Sequence, residues 1–197
     1  MAHILKNGVS SDELGSLKTR AFKAMSEKSW EEAIILFKEF LEYEPDSHIV
    51  MEAIAACHDG NEDYLRAAEY FEKTLATCPQ ERRFDVSYRL GVVRACAERI
   101  EKAEDAFRNC IEWDPGNAEK QQVSEILELL AQMREGTRNK NFFRVQVQLQ
   151  RAFSDMEEDE YAPAAARLER LTEVDPDNAS IFYNLGVVYT FLKREDD

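Results

Sequence analysis

Proline recurs in this 197-residue chain at an interval that constrains the fold more than any other feature. Pro45, Pro79 and Pro115 are 34 and 36 residues apart, and Pro176 follows after 61 residues, which is one period plus about one extra helix. Each proline closes a run with helical apolar periodicity, because proline cannot continue an α-helix. A fixed period of this length predicts a repeat architecture, in which similar units stack on one another.

The same apolar pattern precedes each of these prolines. An alanine is followed four residues later by a bulky apolar residue. A further apolar residue precedes the alanine by three positions, and an apolar or small residue follows the bulky residue by three positions. Steps of three and four place the positions on one face of a helix, where alanine lets a second helix approach closely. The four copies are Trp30, Ala33, Phe37 and Phe40; Tyr64, Ala67, Phe71 and Thr74; Ile100, Ala103, Phe107 and Cys110; and Tyr161, Ala164, Leu168 and Leu171.

A second motif occurs twice. The segment Tyr88–Val93 reads YRLGVV and returns as YNLGVV at Tyr183–Val188. Glycine inside a helix costs about 1 kcal/mol relative to alanine, so its reuse at one register predicts a close contact with a neighbouring helix. The first and second repeats have Ala21 and Ala55 at this position, and alanine is small enough to serve the same purpose.

These residues resemble the tetratricopeptide repeat (TPR) family, in which the period is 34 residues and small, aromatic and proline positions recur as above. The resemblance covers about residues 14–117 and 145–192, while 118–144 fits no complete unit, and Ile54-Ala55 replaces the Leu-Gly pair in the second repeat. It implies an all-α fold of the TPR α-solenoid type. In that fold, antiparallel helix pairs form a right-handed superhelical stack, here with about ten helices.

The sequence is compatible with two arrangements of the helices. The helix at 117–135 either caps a three-repeat block or continues one elongated solenoid that bends near 136–140; we prefer the second arrangement. The predicted helices are 11–27, 30–43, 47–58, 62–77, 81–97, 100–112, 117–135, 141–157, 160–173 and 178–192. The predicted domains are a lead-in at 1–13, three repeats plus a capping-type helix at 14–135, a basic connector at 136–144, and one complete repeat plus the first helix of another at 145–197.

Local signals mark several helix ends. Ser10 and Glu13 form a predicted capping box. The turns Asp114–Asn117 and Asp175–Asn178 each offer a proline stop followed by an asparagine N-cap for the next helix. In the second repeat, Asp59-Gly60-Asn61 is the predicted turn between the two helices.

The charge of the chain limits its partners. With 25 Lys+Arg and 39 Asp+Glu, the formal net charge is −14, so nucleic acid and anionic membranes would repel it. The segment from Arg134 to Arg151 is rich in cations. We interpret it as a solvated connector whose positive charges balance the acidic stretch Asp155–Glu160. No secretory signal or run of about twenty apolar residues occurs, so we expect a cytoplasmic protein without membrane insertion.

The cysteines and histidines do not form a metal or catalytic pattern. Four cysteines show no C-x-x-C pair, and the adjacent Cys57 and His58 are interpreted as a buried thiol beside a surface imidazole. No phosphate-binding, dinucleotide-binding or nucleophile motif is present. We therefore expect no metal, no cofactor and no enzymatic activity.

The resemblance implies a concave groove lined by the first helix of each pair. A groove that mixes aromatic, methionine and charged side chains suits a peptide or an amphipathic helix of a partner protein. The predicted lining residues are Lys18, Phe22, Met25, Ile49, Glu52, Ala56, Asp85, Tyr88, Arg89, Val92, Gln146, Leu149, Phe153, Met156, Tyr183 and Asn184.

Some TPR relatives grip the C-terminal carboxylate of heat-shock chaperones with a cluster of Lys, Asn and Arg. Lys18 and Arg89 match two members of that cluster. Phe22, Ala53 and Asp85 depart from it, and an aspartate opposes a carboxylate ligand, which needs convergent donors. We therefore do not expect this chaperone mode.

Two function classes follow. The first is an adaptor that binds a partner protein in the groove. The second is a homo-oligomeric module, which includes the alternative that the sequence is a fragment of a longer protein; it is joined through its open C-terminal helix, with Phe182, Leu185 and Phe191 at a homodimer interface. A third class, a sensor of a small signalling peptide, predicts a narrower, closed superhelix. The two classes can be separated by a variant that carries both Phe22→Ala and Tyr88→Ala. If this variant no longer captures a partner but keeps the same oligomeric mass, the adaptor is favoured.

Overall fold

The chain folds into ten α-helices within the part that the computed structural model describes, residues 10–113 and 116–192 without the side chain of Asn117. The all-α class of the TPR solenoids is confirmed. A single 3-10 turn, Gln80–Arg82, precedes the fifth helix. The helices are α1 (Ser11–Ser26), α2 (Trp30–Leu41), α3 (His48–Gly60), α4 (Tyr64–Thr77), α5 (Arg83–Cys96), α6 (Ile100–Glu112), α7 (Asn117–Arg134), α8 (Phe142–Glu157), α9 (Tyr161–Val174) and α10 (Ala179–Leu192).

Backbone contacts divide the chain into two compact units, Met1–Gln132 and Met133–Asp197. In the first unit, each helix from α1 to α5 packs against the next along the chain. In the second unit, α8 packs against α9, and α9 packs against α10. The finer repeat limits assigned from the sequence, and the role of the helix after the third repeat, stay predictions.

The predicted apolar faces form the core of both units. The alanines of the four copies and the bulky residues four positions later have no accessible surface, because each helix presses this face against its neighbours. These residues are Ala33, Phe37, Ala67, Phe71, Ala103, Phe107, Ala164 and Leu168. Burying a large apolar side chain contributes about 1.5–3 kcal/mol, so this pattern accounts for much of the stability of each repeat.

The turn inside each helix pair has one geometry, which recurs with the period of the prolines. A non-glycine residue adopts a left-handed backbone conformation with φ near 60°, and the N–H of the next residue donates to a carbonyl five residues back. In the first repeat, Ser29 N–H donates to Ala24 O at 2.9 Å, and Ala33 N–H donates to Ser29 O at 3.0 Å. The left-handed residues are Lys28, Glu62, Glu98 and Asp159.

The helix-end predictions have different outcomes. The capping box is confirmed, since Glu13 N–H donates to Ser10 Oγ at 3.2 Å and Ser10 N–H donates to the Glu13 carboxylate at 2.8 Å. Asn178 caps α10 by accepting from Ser180 N–H at 3.2 Å. Of the predicted turn at 114–117, Asp114, Pro115 and the side chain of Asn117 lie outside the described residues.

The predicted turn at Asp59-Gly60-Asn61 is wrong, because α3 continues to Gly60. The left-handed residue of this turn is Glu62, and Asp63 caps α4 by accepting from Arg66 N–H at 3.3 Å. Gly60 serves a close approach: a Cβ there would lie 2.8 Å from the Trp30 ring. The glycine therefore admits the indole of α2 and does not form the turn.

The interpretation of the Cys57-His58 pair needs one correction. All four cysteines are buried free thiols, as expected for Cys57. His58, however, is buried as well, and its ring stacks on Tyr70 with centroids 5.6 Å apart. Burial outweighs the nearby Asp63 carboxylate and lowers the pKa of His58 below its ordinary value.

Of the helices in the described residues, none is both long enough and apolar enough to cross a lipid bilayer.

Candidate functional site

Helices α1, α3 and α5 of the first unit enclose an open cleft of about 410 Å³. Side chains from the first helix of three successive repeats line it, together with Arg82 from the 3-10 turn before α5. The lining residues are Phe22, Met25, His48, Ile49, Glu52, Ala53, Ala56, Arg82 and Arg89.

One side of the cleft is apolar. Phe22 is 37% exposed and packs edge-on against the buried Phe37 ring, with centroids 4.9 Å apart. Ile49 is 49% exposed, and the half-buried Met25 and Ala56 complete the apolar surface. Because Phe22 packs against the buried Phe37 and also lines the cleft, its ring is held where a ligand can cover its exposed part.

The other side carries an ion cluster, formed by Glu52, Arg82 and Arg89. Arg82 Nη2 donates to both oxygens of Glu52, at 2.9 and 3.2 Å, and Arg89 Nη1 donates to Glu52 Oε1 at 2.9 Å. The Glu52 side chain is only 15% exposed, whereas both arginines remain accessible. The hydrogen bond to Glu52 raises the pKa of Arg82, so the guanidinium keeps its charge.

A second cleft, of about 380 Å³, shares this ion cluster and extends it toward α7. Tyr88 forms its wall: its ring packs edge-on against Phe107 at 5.5 Å, and its hydroxyl accepts from Gln122 Nε2 at 3.2 Å. Asp85 pairs with Arg82 Nη1 at 3.0 Å. Burial raises the pKa of Tyr88, so this hydroxyl stays protonated and can also donate.

The structure brings together most of the lining residues predicted in the first unit. The eight that line these clefts are Phe22, Met25, Ile49, Glu52, Ala56, Asp85, Tyr88 and Arg89. Lys18 lies instead over the Phe40 ring, with its Nζ 5.6 Å from the centroid, and Val92 is half-buried outside both clefts. Whether these residues bind a partner stays a prediction.

The residues predicted in the second unit do not share one environment. Leu149 is 7% exposed and belongs to the hydrophobic core, so its placement on an accessible surface was wrong. This core also contains residues of α9 and α10. Phe153 and Tyr183 are exposed, Met156 packs partly against the core, and the Asn184 side chain donates to Ser180 O at 2.7 Å.

Several lining residues were not in the predicted set. His48, Ala53 and Phe84 lie four residues from Glu52, Ile49 and Tyr88, so helical spacing could have found them. Arg82 and Gln122 carry no such signal. Arg82 belongs to a 3-10 turn, at a position where the sequence pattern predicts an α-helix, and Gln122 lies on α7, which fits no repeat.

The arrangement offers recognition chemistry: apolar surface, two accessible guanidinium groups, carboxylates and a hydroxyl. Within the described residues, no three His, Cys, Asp or Glu side chains are grouped so that they could hold a metal ion. The four cysteines are buried, and burial raises the pKa of Cys57 to about 11 and that of Cys110 to about 12. These thiols therefore stay protonated.

Comparison with known proteins identifies the fold. A family model described as tetratricopeptide repeat matches residues 24–82 and 149–197, and a second model of the same description matches 85–117. No curated protein matches the sequence significantly. The TPR domain of Sgt2 from Aspergillus fumigatus is 23% identical, with a TM-score of 0.53 over 64% of this chain and 84% of that one.

Two further solved structures are similar. The first TPR of Spaghetti (RPAP3), bound to the HSP90 peptide SRMEEVD, is 18% identical, with a TM-score of 0.53 over 66% of this chain and 99% of that one. The TPR domain of P58(IPK) is 16% identical, with a TM-score of 0.52; the match covers 92% of this chain but 56% of that one. The first of the two family models alone covers more than half of the 197 residues, and the chain belongs to the tetratricopeptide repeat family.

Proposed function

We propose that the first unit is a protein-interaction module that binds a peptide or short helix of a partner protein in the cleft between α1, α3 and α5. One observation carries the proposal: two accessible apolar side chains, Phe22 and Ile49, lie beside the Glu52 ion cluster in one open cleft. Covering apolar surface contributes about 25 cal/mol per Å², and adjacent charged groups can fix the register of a bound chain.

The cleft favours a segment with an apolar anchor and polar flanks. The anchor would cover Phe22, Met25 and Ile49, while the flanks would bond to groups of the ion cluster. With Asp85 included, the cluster has two positive and two negative groups, so both donors and acceptors are available. We therefore propose that the cleft selects its partner by the positions of apolar and polar residues in the bound segment rather than by the net charge of that segment.

The peptide-bound RPAP3 domain supports the idea that this fold can hold a peptide. The residues at the positions that would bind a chaperone C-terminus are different in this chain. Arg89 is already paired with Glu52, and Phe22 places an aromatic ring in the cleft. We therefore propose a partner other than a chaperone C-terminus. We also propose a non-enzymatic, cytoplasmic role, which agrees with the four free, buried thiols.

A photo-crosslinking amino acid placed at Ile49 tests the cleft. The matched control position is Ile35 of α2, which is also an isoleucine and is 66% exposed. We expect the probe at Ile49 to capture a segment of one partner that the probe at Ile35 does not capture. Mass spectrometry of the crosslinked peptides identifies the segment.

A synthetic copy of the captured segment then gives an affinity. We expect Ile49→Ala to weaken its binding about tenfold, in line with the 1–2 kcal/mol of a moderate hot spot, and Ile35→Ala to leave it unchanged. Equal crosslinking at both positions, or equal affinity of both variants, would contradict the proposal.

The alternative is self-association through Phe182, Leu185 and Phe191 of α10. Phe182 and Phe191 are exposed, while Leu185 is partly buried against the core of the second unit. A mass of two copies in light scattering would support this alternative, and a monomeric mass would leave the adaptor role.

A further inference from the structure

Helix α10 repeats the motif of α5 in a different environment. Tyr183 and Gly186 hold the motif positions of Tyr88 and Gly91. In the first unit, both of those residues contact Phe107: the Tyr88 ring meets it at 5.5 Å, and a Cβ on Gly91 would lie 2.7 Å from it. In the second unit, Tyr183 is 74% exposed. Apart from chain neighbours and its own helix backbone, no described atom lies within 4 Å of a Cβ on Gly186.

The two helices sit on their preceding helices in the same orientation. Val188 of α10 is fully buried, as is its equivalent in α5, Val93. Tyr189 donates to Glu169 of α9 at 2.7 Å, and the equivalent Arg94 donates to Glu72 of α4 at 2.6 Å. A rotation of α10 therefore does not explain the exposure. The surface that α6 covers on α5 is not covered on α10 by any helix of the described residues.

We propose that this surface, the α10 face defined by Phe182, Tyr183 and Gly186, binds an amphipathic helix of a partner protein that places an aromatic ring over Gly186. The first unit shows the geometry: Phe107 fills the space beside Gly91. Phe182 extends the face, since it is 48% exposed whereas its equivalent in α5, Ser87, is buried.

The partner helix has a defined chemistry. It presents a small residue and, four positions later, an aromatic residue, as α6 does with Ala103 and Phe107. Residues 179–192 include no charged side chain, so the contact is apolar. A second copy of the chain is disfavoured as the occupant, because two copies with a formal charge of −14 repel each other.

The probe is a fluorescein-labelled peptide with the sequence of residues 98–113, which contains α6. A hydrocarbon bridge replaces Glu101 and Asp105, which are exposed in α6, because an isolated helix of this length is marginal in water. We expect saturable binding to the full chain in fluorescence anisotropy. The same peptide with Phe107→Ala is expected to bind about tenfold or more weakly, since it lacks the ring.

Protein variants locate the contact. Gly186→Ala is expected to keep or raise the Tm, because its Cβ enters open space, and to weaken peptide binding about tenfold, because that Cβ takes the place of the ring. Gly15→Ala in α1 is the matched control, since this glycine also has no neighbouring atom within 4 Å. We expect it to leave binding unchanged.

Three outcomes would overturn the inference. They are no binding of the bridged peptide to the unchanged chain, equal binding of the Phe107→Ala peptide, and equal binding by the Gly186→Ala protein. If the unchanged chain is a dimer and Gly186→Ala makes it a monomer, the occupant of the α10 face is a second copy of the chain and not the helix of a partner protein. None of these outcomes bears on the cleft of the first unit, which Ile49 and Ile35 test separately.

Discussion

Helices α5 and α10 share a motif, and the structure surrounds them differently. Each packs against the preceding helix and buries its motif valine, Val93 in one and Val188 in the other. On the opposite side, α5 meets α6, whereas Gly186 and Tyr183 of α10 are exposed. The comparison teaches that the motif specifies two packing faces, and that burial of the second face depends on which helix lies beside it.

The largest expected effect comes from removing the ring that covers α5. Phe107→Ala is expected to lower the free energy of unfolding of the first unit by about 3–5 kcal/mol, because the ring is fully buried and leaves a cavity. Both tryptophans, Trp30 and Trp113, belong to this unit, so their fluorescence in a urea titration reports its unfolding.

The control for this prediction is Phe191→Ala on α10. Phe191 is 58% exposed and stacks on Tyr161 with centroids 4.7 Å apart, so the expected loss is about 0.5–1.5 kcal/mol. Amide hydrogen exchange of α10 measures it. Equal losses for the two phenylalanines would contradict the difference between covered and uncovered faces.

The two motif glycines should respond in opposite directions to alanine. Gly91→Ala forces a Cβ to within 2.7 Å of Phe107, and we expect a loss of about 1–3 kcal/mol in unfolding free energy from overpacking. Gly186→Ala is expected to add up to about 1 kcal/mol through helix propensity alone. Urea unfolding and hydrogen exchange measure the two changes, and a shared sign would show that the glycines have equivalent surroundings.

The smallest expected effect is a pH dependence confined to the first unit. His58 lies there, and burial lowers its pKa in the folded protein. Between that lowered pKa and about 6.5, the unfolded chain binds the proton more readily than the folded chain. Stability of the first unit is therefore expected to fall as the pH decreases through this window, and to be constant above it.

Urea titrations at several pH values, followed by tryptophan fluorescence, measure the slope. His58→Gln is the control, since it removes the titrating group while keeping a polar side chain, and it should flatten the dependence. A slope of the same size in the variant would assign the effect to other groups.

Much of the fold could be predicted from local sequence. The positions around Ala33 and Phe37 recur at helical spacing, and a buried stripe is the physical consequence of that spacing. The left-handed turns were not predicted, because Lys28 and Glu62 are not residues that favour that conformation. The backbone φ angles of the folded chain, and the hydrogen bond from the following residue to a carbonyl five residues back, reveal it.

The candidate site could be predicted in part. Phe22, Ile49 and Glu52 follow from helical faces, and the structure places them in one cleft. Arg82 joins them across 30 residues of sequence through a salt bridge that no local pattern encodes. Leu149 was predicted to line the groove but lies in the core. An apolar residue at helical spacing is compatible with either place, and only the position of the neighbouring helix decides between them.

The sequence by itself determined the order and approximate extent of the helices, and which face each helix buries first. These properties depend on residues within a few turns of one another, and their periodicity is visible without coordinates. Only the tertiary structure decided that Glu52 takes two arginines, that His58 is buried, and that Gly91 is covered while Gly186 is not. The physical reason is that burial and pairing depend on residues distant in sequence, which helical periodicity cannot place.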